Sequence, residues 1–128
     1  FVASFIGLPP MNFFDVTVGN GVLNGQGFTV KLTEEEKRTL AAYQGKEIIL
    51  GVRPENIEEG TEVRVDVQNN ENLGMNTLVH GYVANGGPRI VAKLKGWKML
   101  KAGDGITFSF KQKHFFDKET TNAIRGGK

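Results

Sequence analysis

Turn-forming residues interrupt this sequence about every ten residues, and that spacing constrains the fold more than any other feature. Glycine is frequent, with 17 among 128 residues, well above its usual share in globular proteins. Segments this short between turns hold strands more readily than helices. The pattern therefore predicts a mainly β domain, a small barrel or sandwich of short strands. The clearest turn compositions are Gly19-Asn20-Gly21, Asn69-Asn70, Asn85-Gly86-Gly87-Pro88 and Ala102-Gly103-Asp104-Gly105.

The segments between these turns have the patterns of strands. Val63, Val65 and Val67 alternate with polar residues, which is typical of a strand with one buried face. The segments 11–18 and 28–32 are predicted to form a hairpin with each other. The predicted strands are 11–18, 28–32, 47–53, 61–68, 77–84, 89–94, 106–110 and 114–117.

Two helices are predicted beside these strands. Thr33 and Glu36 have the spacing of a capping box, which predicts a short helix of about three turns ending near Gly45. Apolar residues four apart in 1–6, followed by Gly7, predict the last turns of an N-terminal helix entering the domain from upstream. Residues 118–128 are predicted to be a polar tail.

Composition narrows the possible functions. The chain has no cysteine, which excludes disulfides and thiolate metal sites. No apolar stretch approaches the roughly 20 residues of a membrane-spanning helix. The net charge of +2 is too small to indicate nucleic-acid binding by itself. Because the sequence begins in mid-pattern without a secretory signal, it is expected to be a fragment of a longer protein.

No catalytic, cofactor or metal site is predicted. Ser109 lies in mid-strand without the Gly-x-Ser-x-Gly motif of a nucleophile. His80 and His114 are too far apart in sequence for a typical ligand pair. The glycines at 81 and 86 have Walker A spacing, but Gly87-Pro88 follow where Lys and Ser/Thr are required.

Two charged segments leave alternative functions open. The acidic residues between 55 and 71 are interpreted as the solvated rim of a loop around Pro54 and Gly60. Several lysines surround Trp97 between 93 and 113, which is typical of single-stranded nucleic-acid grooves. The favoured interpretation is a solvated lysine face with Trp97 packed into the core. A free-standing barrel that binds single-stranded nucleic acid, a sugar or an oxyanion is the alternative function.

Four motifs in series carry a resemblance to a known family. The segment 1–12 resembles the linker between the nucleotide-binding and regulatory domains in ATP-binding subunits of maltose and multiple-sugar ABC importers. Gly51-Val52-Arg53-Pro54-Glu55 is similar to the family's Gly-Ile/Val-Arg-Pro-Glu block, and Leu73-Gly74 to its Leu-Gly turn. His114-Phe115-Phe116-Asp117 resembles the closing His-Leu-Phe-Asp. Asn56 and Phe115 depart from the pattern, and the former removes any role for an imidazole there.

The resemblance implies an OB-like regulatory barrel over 13–124, preceded by the end of a linker at 1–12 and followed by a tail at 125–128. It implies no enzyme activity in this chain, since ATP and Mg²⁺ would bind an upstream domain of a transport ATPase. Implied partners are a second copy, the membrane subunits, and a sugar phosphotransferase or transcription regulator, at the cytoplasmic face of the membrane. Nucleic acid is not an expected partner. The motif residues are expected to be structural or interface residues, with Arg53 bonded to carbonyls or a carboxylate: Arg53, Pro54, Glu55, Leu73, Gly74, His114, Phe116 and Asp117.

Overall fold

The fold is known from a computed structural model that describes residues 10–125. Over this range the chain is mainly β, with nine strands and very little helix, as the sequence predicts. The strands are β1 (Asn12–Val18), β2 (Val22–Gly25), β3 (Phe28–Lys31), β4 (Glu47–Val52), β5 (Ile57–Asn72), β6 (Asn76–Val83), β7 (Arg89–Lys95), β8 (Gly105–Phe110) and β9 (His114–Asp117). One α-helix, α1 (Glu34–Thr39), and two short 3₁₀ helices, Ala41–Tyr43 and Pro54–Asn56, complete the elements.

The strands form two antiparallel sheets that share one core. The first sheet has the order β3-β2-β1-β4-β9, and the second has the order β7-β6-β5-β8. Phe14 of β1, Phe28 of β3 and Phe110 of β8 join the sheets in an aromatic cluster. The Phe14 and Phe110 rings stack with centroids 5.9 Å apart, and Phe28 meets both edge-on. The alternation in β5 is confirmed, since Val63, Val65 and Val67 are all buried.

The hairpin predicted between 11–18 and 28–32 is wrong. A further strand, β2, lies between the two segments and pairs with both, while β1 pairs with β4 on its other side. The sequence hides β2 because its four residues, Val-Leu-Asn-Gly, carry two turn-forming residues. Only Leu23 of this strand is fully buried.

The acidic loop predicted around Gly60 is also wrong, because this segment belongs to the sixteen-residue strand β5. The register of β5 against β8 shifts between Glu59 and Val63, which marks a bulge. A Cβ on Gly60 would collide with the side chain of Ser109, whose Oγ accepts a hydrogen bond from the Thr61 amide (3.1 Å). Gly60 therefore permits a bend inside a strand rather than ending it. The turn predicted at Asn69-Asn70 likewise lies within β5.

The capping box at the start of α1 is confirmed, but the helix is shorter than the three turns predicted. The Thr33 hydroxyl accepts from the Glu36 amide (3.1 Å), and the Glu36 carboxylate accepts from the Thr33 amide (2.9 Å). The α-helix ends at Thr39 with Leu40 as its C-cap, and the chain continues into the 3₁₀ turn that precedes Gly45. The Glu36 carboxylate also lies 3.3 Å from the buried ammonium of Lys113, which ties α1 to the segment before β9.

At the two ends of the domain, the structure describes part of the predicted linker and part of the predicted tail. The predicted N-terminal helix at 1–6 lies outside the described residues. Met11 and Asn12, assigned to the linker, are both buried. Part of the predicted tail folds back onto the sheet, since Ala123 bridges to Phe116 and the Ile124 amide donates to the Phe115 carbonyl (2.8 Å).

Asn12 joins the two sheets through its side-chain amide. Its Nδ2 donates to the carbonyls of Val52 (3.1 Å) and Val91 (2.8 Å), and its Oδ1 accepts from the Val91 amide (2.9 Å). Val52 belongs to β4 of the first sheet, and Val91 belongs to β7 at the edge of the second. One buried side chain thus bonds backbone groups in both sheets, including both polar backbone groups of a residue in the edge strand β7.

We predict that Asn12→Leu destabilises the fold by about 2–4 kcal/mol, because three hydrogen bonds to backbone groups in buried or part-buried positions are lost. The measurement is urea unfolding at neutral pH. The matched control is Asn24→Leu, at an exposed position where the amide oxygen bonds only the Thr29 hydroxyl. An equal loss of stability in both variants would contradict the assigned role of Asn12.

Candidate interaction surfaces

Gly51 lies where three strands of the first sheet meet, opposite Phe13 of β1 and His114 of β9. A Cβ at this position would lie 2.6 Å from the Met11 sulfur and 2.9 Å from the Phe116 ring. The Phe13 and Phe116 rings meet edge-on above the strand, with centroids 6.0 Å apart. The first residue of the Gly-Val-Arg-Pro-Glu block is therefore fixed by close packing against the motif that closes the domain.

Arg53 and His114 form a basic pair beside this aromatic contact. Burial lowers the pKa of His114, and the positive charge of Arg53 lowers it further. The carbonyl or carboxylate partner expected for Arg53 is not found within residues 10–125. Its neighbour Pro54 is buried at the start of the 3₁₀ helix Pro54–Asn56, where a fixed φ suits the first helical position.

Asp117 ends β9 and receives several hydrogen bonds. Its carboxylate accepts from the backbone amides of Thr120 (3.0 Å) and Glu119 (2.9 Å) and from the Tyr43 hydroxyl (2.8 Å). Hydrogen bonds from the Thr120 amide and the Tyr43 hydroxyl lower the pKa of Asp117. The hydrogen bond between Tyr43 and Asp117 also raises the pKa of Tyr43. Asp117 thus shapes the turn after β9 and attaches it to the 3₁₀ helix Ala41–Tyr43.

The acidic and basic segments of the sequence meet in one cleft. Glu55, Glu58 and Glu59 line it together with lysines from β7 and from the segments after β7 and β8. Lys98 Nζ lies 3.2 Å from a Glu59 carboxylate oxygen. Opposite charges are therefore already apposed within one chain. The lysines are Lys93, Lys95, Lys98 and Lys111.

The Leu-Gly motif lies at the turn between β5 and β6. Gly74 has φ +86°, a conformation that glycine adopts without strain, and Leu73 is exposed. The loop after β7 lies against this turn, since the Gly96 amide donates to the Met75 carbonyl (2.8 Å). Trp97 in that loop is 61% exposed, so the interpretation of Trp97 as a core residue is wrong.

The structure divides the predicted motif residues among three places. Arg53, His114 and Phe116 line one cleft at the first sheet, next to the contact at Gly51, and Asp117 ends β9. Glu55 belongs to the charged cleft, and Leu73-Gly74 belong to the second sheet. The motifs are therefore not parts of one pocket.

Residues 10–125 contain neither a metal-binding group of three or more His, Cys, Asp or Glu residues nor a helix fit to cross a bilayer. His80 lies on β6, 3.4 Å from Glu71 and 3.3 Å from Arg89. His114 lies on β9 of the other sheet. The two histidines thus lie on different sheets.

Several residues that organise these surfaces carry no sequence signal. Thr77 is fully buried, donates to the Gly96 carbonyl (2.8 Å) and accepts from the Lys98 amide (2.9 Å). Threonine is a common residue in strands, so the sequence does not mark Thr77 as an anchor. Lys113 is similarly unmarked, because its partner Glu36 lies 77 residues away.

Comparison with known proteins finds two family matches that follow each other along the chain. Residues 7–57 match the MalK OB fold domain, and residues 50–116 match the TOBE domain. Met11 thus falls in the first match, the long β5 and the Leu-Gly turn fall in the second, and the Gly51 block lies where the two matches overlap. The chain belongs to the TOBE domain family.

Three relatives show the kind of protein in which such a domain occurs. The multiple sugar-binding transport ATP-binding protein MsmK of Streptococcus mutans is 34% identical over 98% of this chain and 36% of its own length. The trehalose/maltose import ATP-binding protein MalK of Thermococcus litoralis is 36% identical over 97% of this chain and 37% of its own length. The sn-glycerol-3-phosphate import ATP-binding protein UgpC of Bordetella avium is 30% identical over 98% of this chain and 36% of its own length. The chain thus spans little more than a third of these relatives.

We predict that Gly51→Ala destabilises the fold by about 1–2 kcal/mol, because the added methyl group overpacks the contact with Met11 and Phe116. In a Phe116→Leu background the same substitution should cost at most half as much, since the smaller side chain leaves room. Chemical unfolding of the four proteins in this double-mutant cycle measures the coupling. Strict additivity would show that Phe116 does not limit the space at Gly51.

We predict that His114 makes the fold sensitive to mild acid. Its pKa is lower in the folded chain than in the unfolded chain, so the unfolded state binds more protons and stability falls as pH drops below about 6.5. His114→Gln should flatten this fall, and Arg53→Met should flatten it in part. Urea midpoints between pH 7.5 and 5 measure the slope. Unchanged slopes in both variants would contradict the assignment.

Proposed function

We propose that this chain is the regulatory and dimerisation domain of the ATP-binding subunit of a carbohydrate ABC importer. The observation that carries the proposal is the pair of consecutive family matches, which together run from residue 7 to residue 116. The relatives that share this region are import ATP-binding proteins, and the region makes up about a third of each. On this proposal ATP and Mg²⁺ bind the remaining two thirds of the parent protein, a sugar-transporting ATPase.

The names of the relatives support a role in regulation rather than in substrate choice. They specify multiple sugars, trehalose/maltose and sn-glycerol-3-phosphate, although each relative matches almost the whole of this chain. A domain that accompanies such different cargoes is poorly suited to select among them. We therefore assign it to the control and assembly of the ATPase.

The structure supports a rigid module. Asn12 and the phenylalanine cluster connect the two sheets, and Lys113 holds α1 against the segment before β9. No buried side-chain nitrogen or oxygen of the described residues lacks a hydrogen-bond partner. Such a body transmits a force or a docking event without rearranging its core.

The proposed partners follow from this role. A second copy of the parent pairs with it, and the membrane subunits contact the remainder of the parent at the cytoplasmic face of the membrane. A sugar phosphotransferase protein or a transcription regulator is the proposed type of docking protein. The surfaces available for these contacts are the charged cleft and the turn that carries Leu73 and Gly74.

The experiment that tests the proposal begins with the coding region upstream of Phe1. We expect it to encode Gly-x-x-x-x-Gly-Lys-Ser/Thr and Leu-Ser-Gly-Gly, the phosphate-binding and signature sequences of an ABC ATPase. The encoded protein should bind ATP with or without residues 10–128, whereas deletion of those residues should weaken its dimerisation in analytical ultracentrifugation. A start codon directly before Phe1 would contradict the proposal, as would unchanged dimerisation after the deletion.

A further inference from the structure

The outer face of the second sheet carries a group of polar side chains that the proposed function does not use. Alternate side chains of a strand point to opposite faces, so His80 and Tyr82 of β6 point away from the core in which Val79 and Val83 are buried. With neighbours on β5 and β7 they line an open depression of about 260 Å³. We call its polar side chains the outer-face cluster: Gln68, Asn69, Glu71, His80, Tyr82 and Arg89.

A bulge in β5 supplies two of these side chains. The register of β5 against β6 shifts between Val67, which lies opposite Gly81, and Asn69, which lies opposite His80. Val67 is buried, whereas Gln68 and Asn69 are both exposed. The bulge therefore places two successive amide side chains on the outer face, where an unbroken strand would place one.

His80 lies between a carboxylate and a guanidinium in this cluster. Its Nε2 lies 3.4 Å from a Glu71 carboxylate oxygen, and its Nδ1 lies 3.3 Å from Nη2 of Arg89. Because a guanidinium only donates and a carboxylate only accepts, both contacts are hydrogen bonds when the imidazole is neutral and carries its proton on Nε2. One negative and one positive charge then flank a neutral ring, so the cluster has no net charge.

The outer-face cluster offers hydrogen-bonding groups of both kinds to a ligand. Within residues 10–125 the side-chain amides of Gln68 and Asn69 make no hydrogen bond, and each offers two donors and one acceptor oxygen. The guanidinium of Arg89 and the carboxylate of Glu71 retain further donors and acceptors. Tyr82 adds a hydroxyl and an aromatic ring, and this residue is 42% exposed. The depression thus combines one apolar ring face with donors and acceptors around it.

A saccharide matches this combination. Each sugar hydroxyl both donates and accepts a hydrogen bond, so it can bond amides, a carboxylate and a guanidinium. The C–H face of a pyranose ring is apolar and packs against an aromatic ring. The lack of net charge favours an uncharged ligand, since a phosphate group would approach the carboxylate of Glu71. The depression is smaller than the roughly 300–1,000 Å³ of sites for drug-sized ligands, so it suits a single sugar ring.

We propose that the outer-face cluster binds one ring of an uncharged saccharide, with the apolar face of the sugar on Tyr82 and its hydroxyls on the surrounding amides, carboxylate and guanidinium. The neutral and polar character of the site rests on its geometry, whereas the choice of a saccharide over other uncharged ring compounds rests on the importer function that we propose above. Binding is weak, with a dissociation constant of about 1 mM or more, because the depression is open and covers one face of the ring.

The importer function gives such a site a role in regulation. An importer delivers its cargo to the side of the membrane on which its ATP-binding subunit lies. A saccharide site on the regulatory domain therefore meets the delivered sugar and reports its accumulation to the ATPase. Weak binding suits this role, since a site that saturates at low concentration does not respond to accumulation.

The first test titrates the chain with maltose and follows the backbone amide signals by two-dimensional NMR. We expect saturable shifts at residues 68–71, 80–82 and 89, and no saturable shifts with sorbitol, an open-chain polyol without a ring face. Tyr82→Ala should raise the dissociation constant roughly tenfold, whereas Tyr82→Phe, which keeps the ring, should change it less than about threefold. The control is Trp97→Ala, which removes an exposed aromatic side chain from the loop after β7 and should leave the constant unchanged. Thermal unfolding checks that each variant is folded.

The second test examines the charge of the site. Glucose 6-phosphate should bind the unmodified chain at least about threefold more weakly than glucose, because its phosphate meets the carboxylate of Glu71. Glu71→Gln removes that charge, leaves Arg89 unopposed and should abolish or reverse the difference. The matched control is Glu119→Gln, an exposed carboxylate in the turn after β9 on the other sheet, which should preserve the difference.

The saccharide site and the importer function fail on different results. Maltose shifts that are absent, or that persist in Tyr82→Ala, overturn the site and leave the importer function standing. Adenosine that binds more tightly than maltose, and is lost in Tyr82→Ala, overturns the saccharide in favour of a nucleobase on the same ring. An upstream coding region without ATPase sequences overturns the importer function, while maltose shifts at the cluster still support the site.

The role in regulation is tested on the parent protein. Maltose should lower the rate of ATP hydrolysis, and Tyr82→Ala should remove this effect without changing the rate in the absence of sugar. A rate that stays constant while maltose occupies the site overturns the role in regulation.

Discussion

The side-chain amide of Asn12 is the contact on which the arrangement of the two sheets depends. The sheets share a core of aliphatic and aromatic side chains, but apolar packing has little directional preference. The Asn12 amide is directional, because it bonds both the amide and the carbonyl of Val91 while donating to Val52. It fixes the position of β7 relative to β4 along the strands. Burial of an amide is tolerable here because its oxygen and its nitrogen are both hydrogen-bonded to backbone groups.

Hydrogen bonds from other parts of the chain also cover the edges of the first sheet, which otherwise present unpaired backbone groups. Glu62 accepts from the Lys31 amide of β3 (2.9 Å), so a carboxylate of the second sheet covers an edge of the first. At the opposite edge, Ala123 bridges to Phe116 and the chain after Asp117 covers β9. The motif that closes the domain therefore serves the edge of the sheet as well as the contact with Gly51. Sequence resemblance identified these motif residues, and the structure shows the physical reason for several of them.

The strands could be predicted from the sequence wherever a buried face alternates with an exposed one. The strands β4, β6, β7, β8 and β9 lie within two residues of their predicted bounds, because turns with glycine, proline or asparagine separate them. The strand prediction failed where residue types that favour turns lie inside strands. Gly60 normally indicates a turn, but here it accommodates Ser109 inside a strand, and Asn24 and Gly25 belong to β2 although their residue types favour turns. The sequence favours Trp97 as a core residue between strand lysines, and only the loop geometry shows that it is exposed.

Two buried polar residues, Asn12 and Thr77, thus have different consequences for the molecule. Asn12 holds the sheets together, whereas Thr77 holds two loops in a position where they expose apolar side chains to water. Exposure of Met75 and Trp97 gives no benefit to an isolated fold, since burial of such side chains would stabilise it. The core therefore determines the stability of this domain, and the Thr77 anchor determines the shape of the exposed surface at this end of the second sheet.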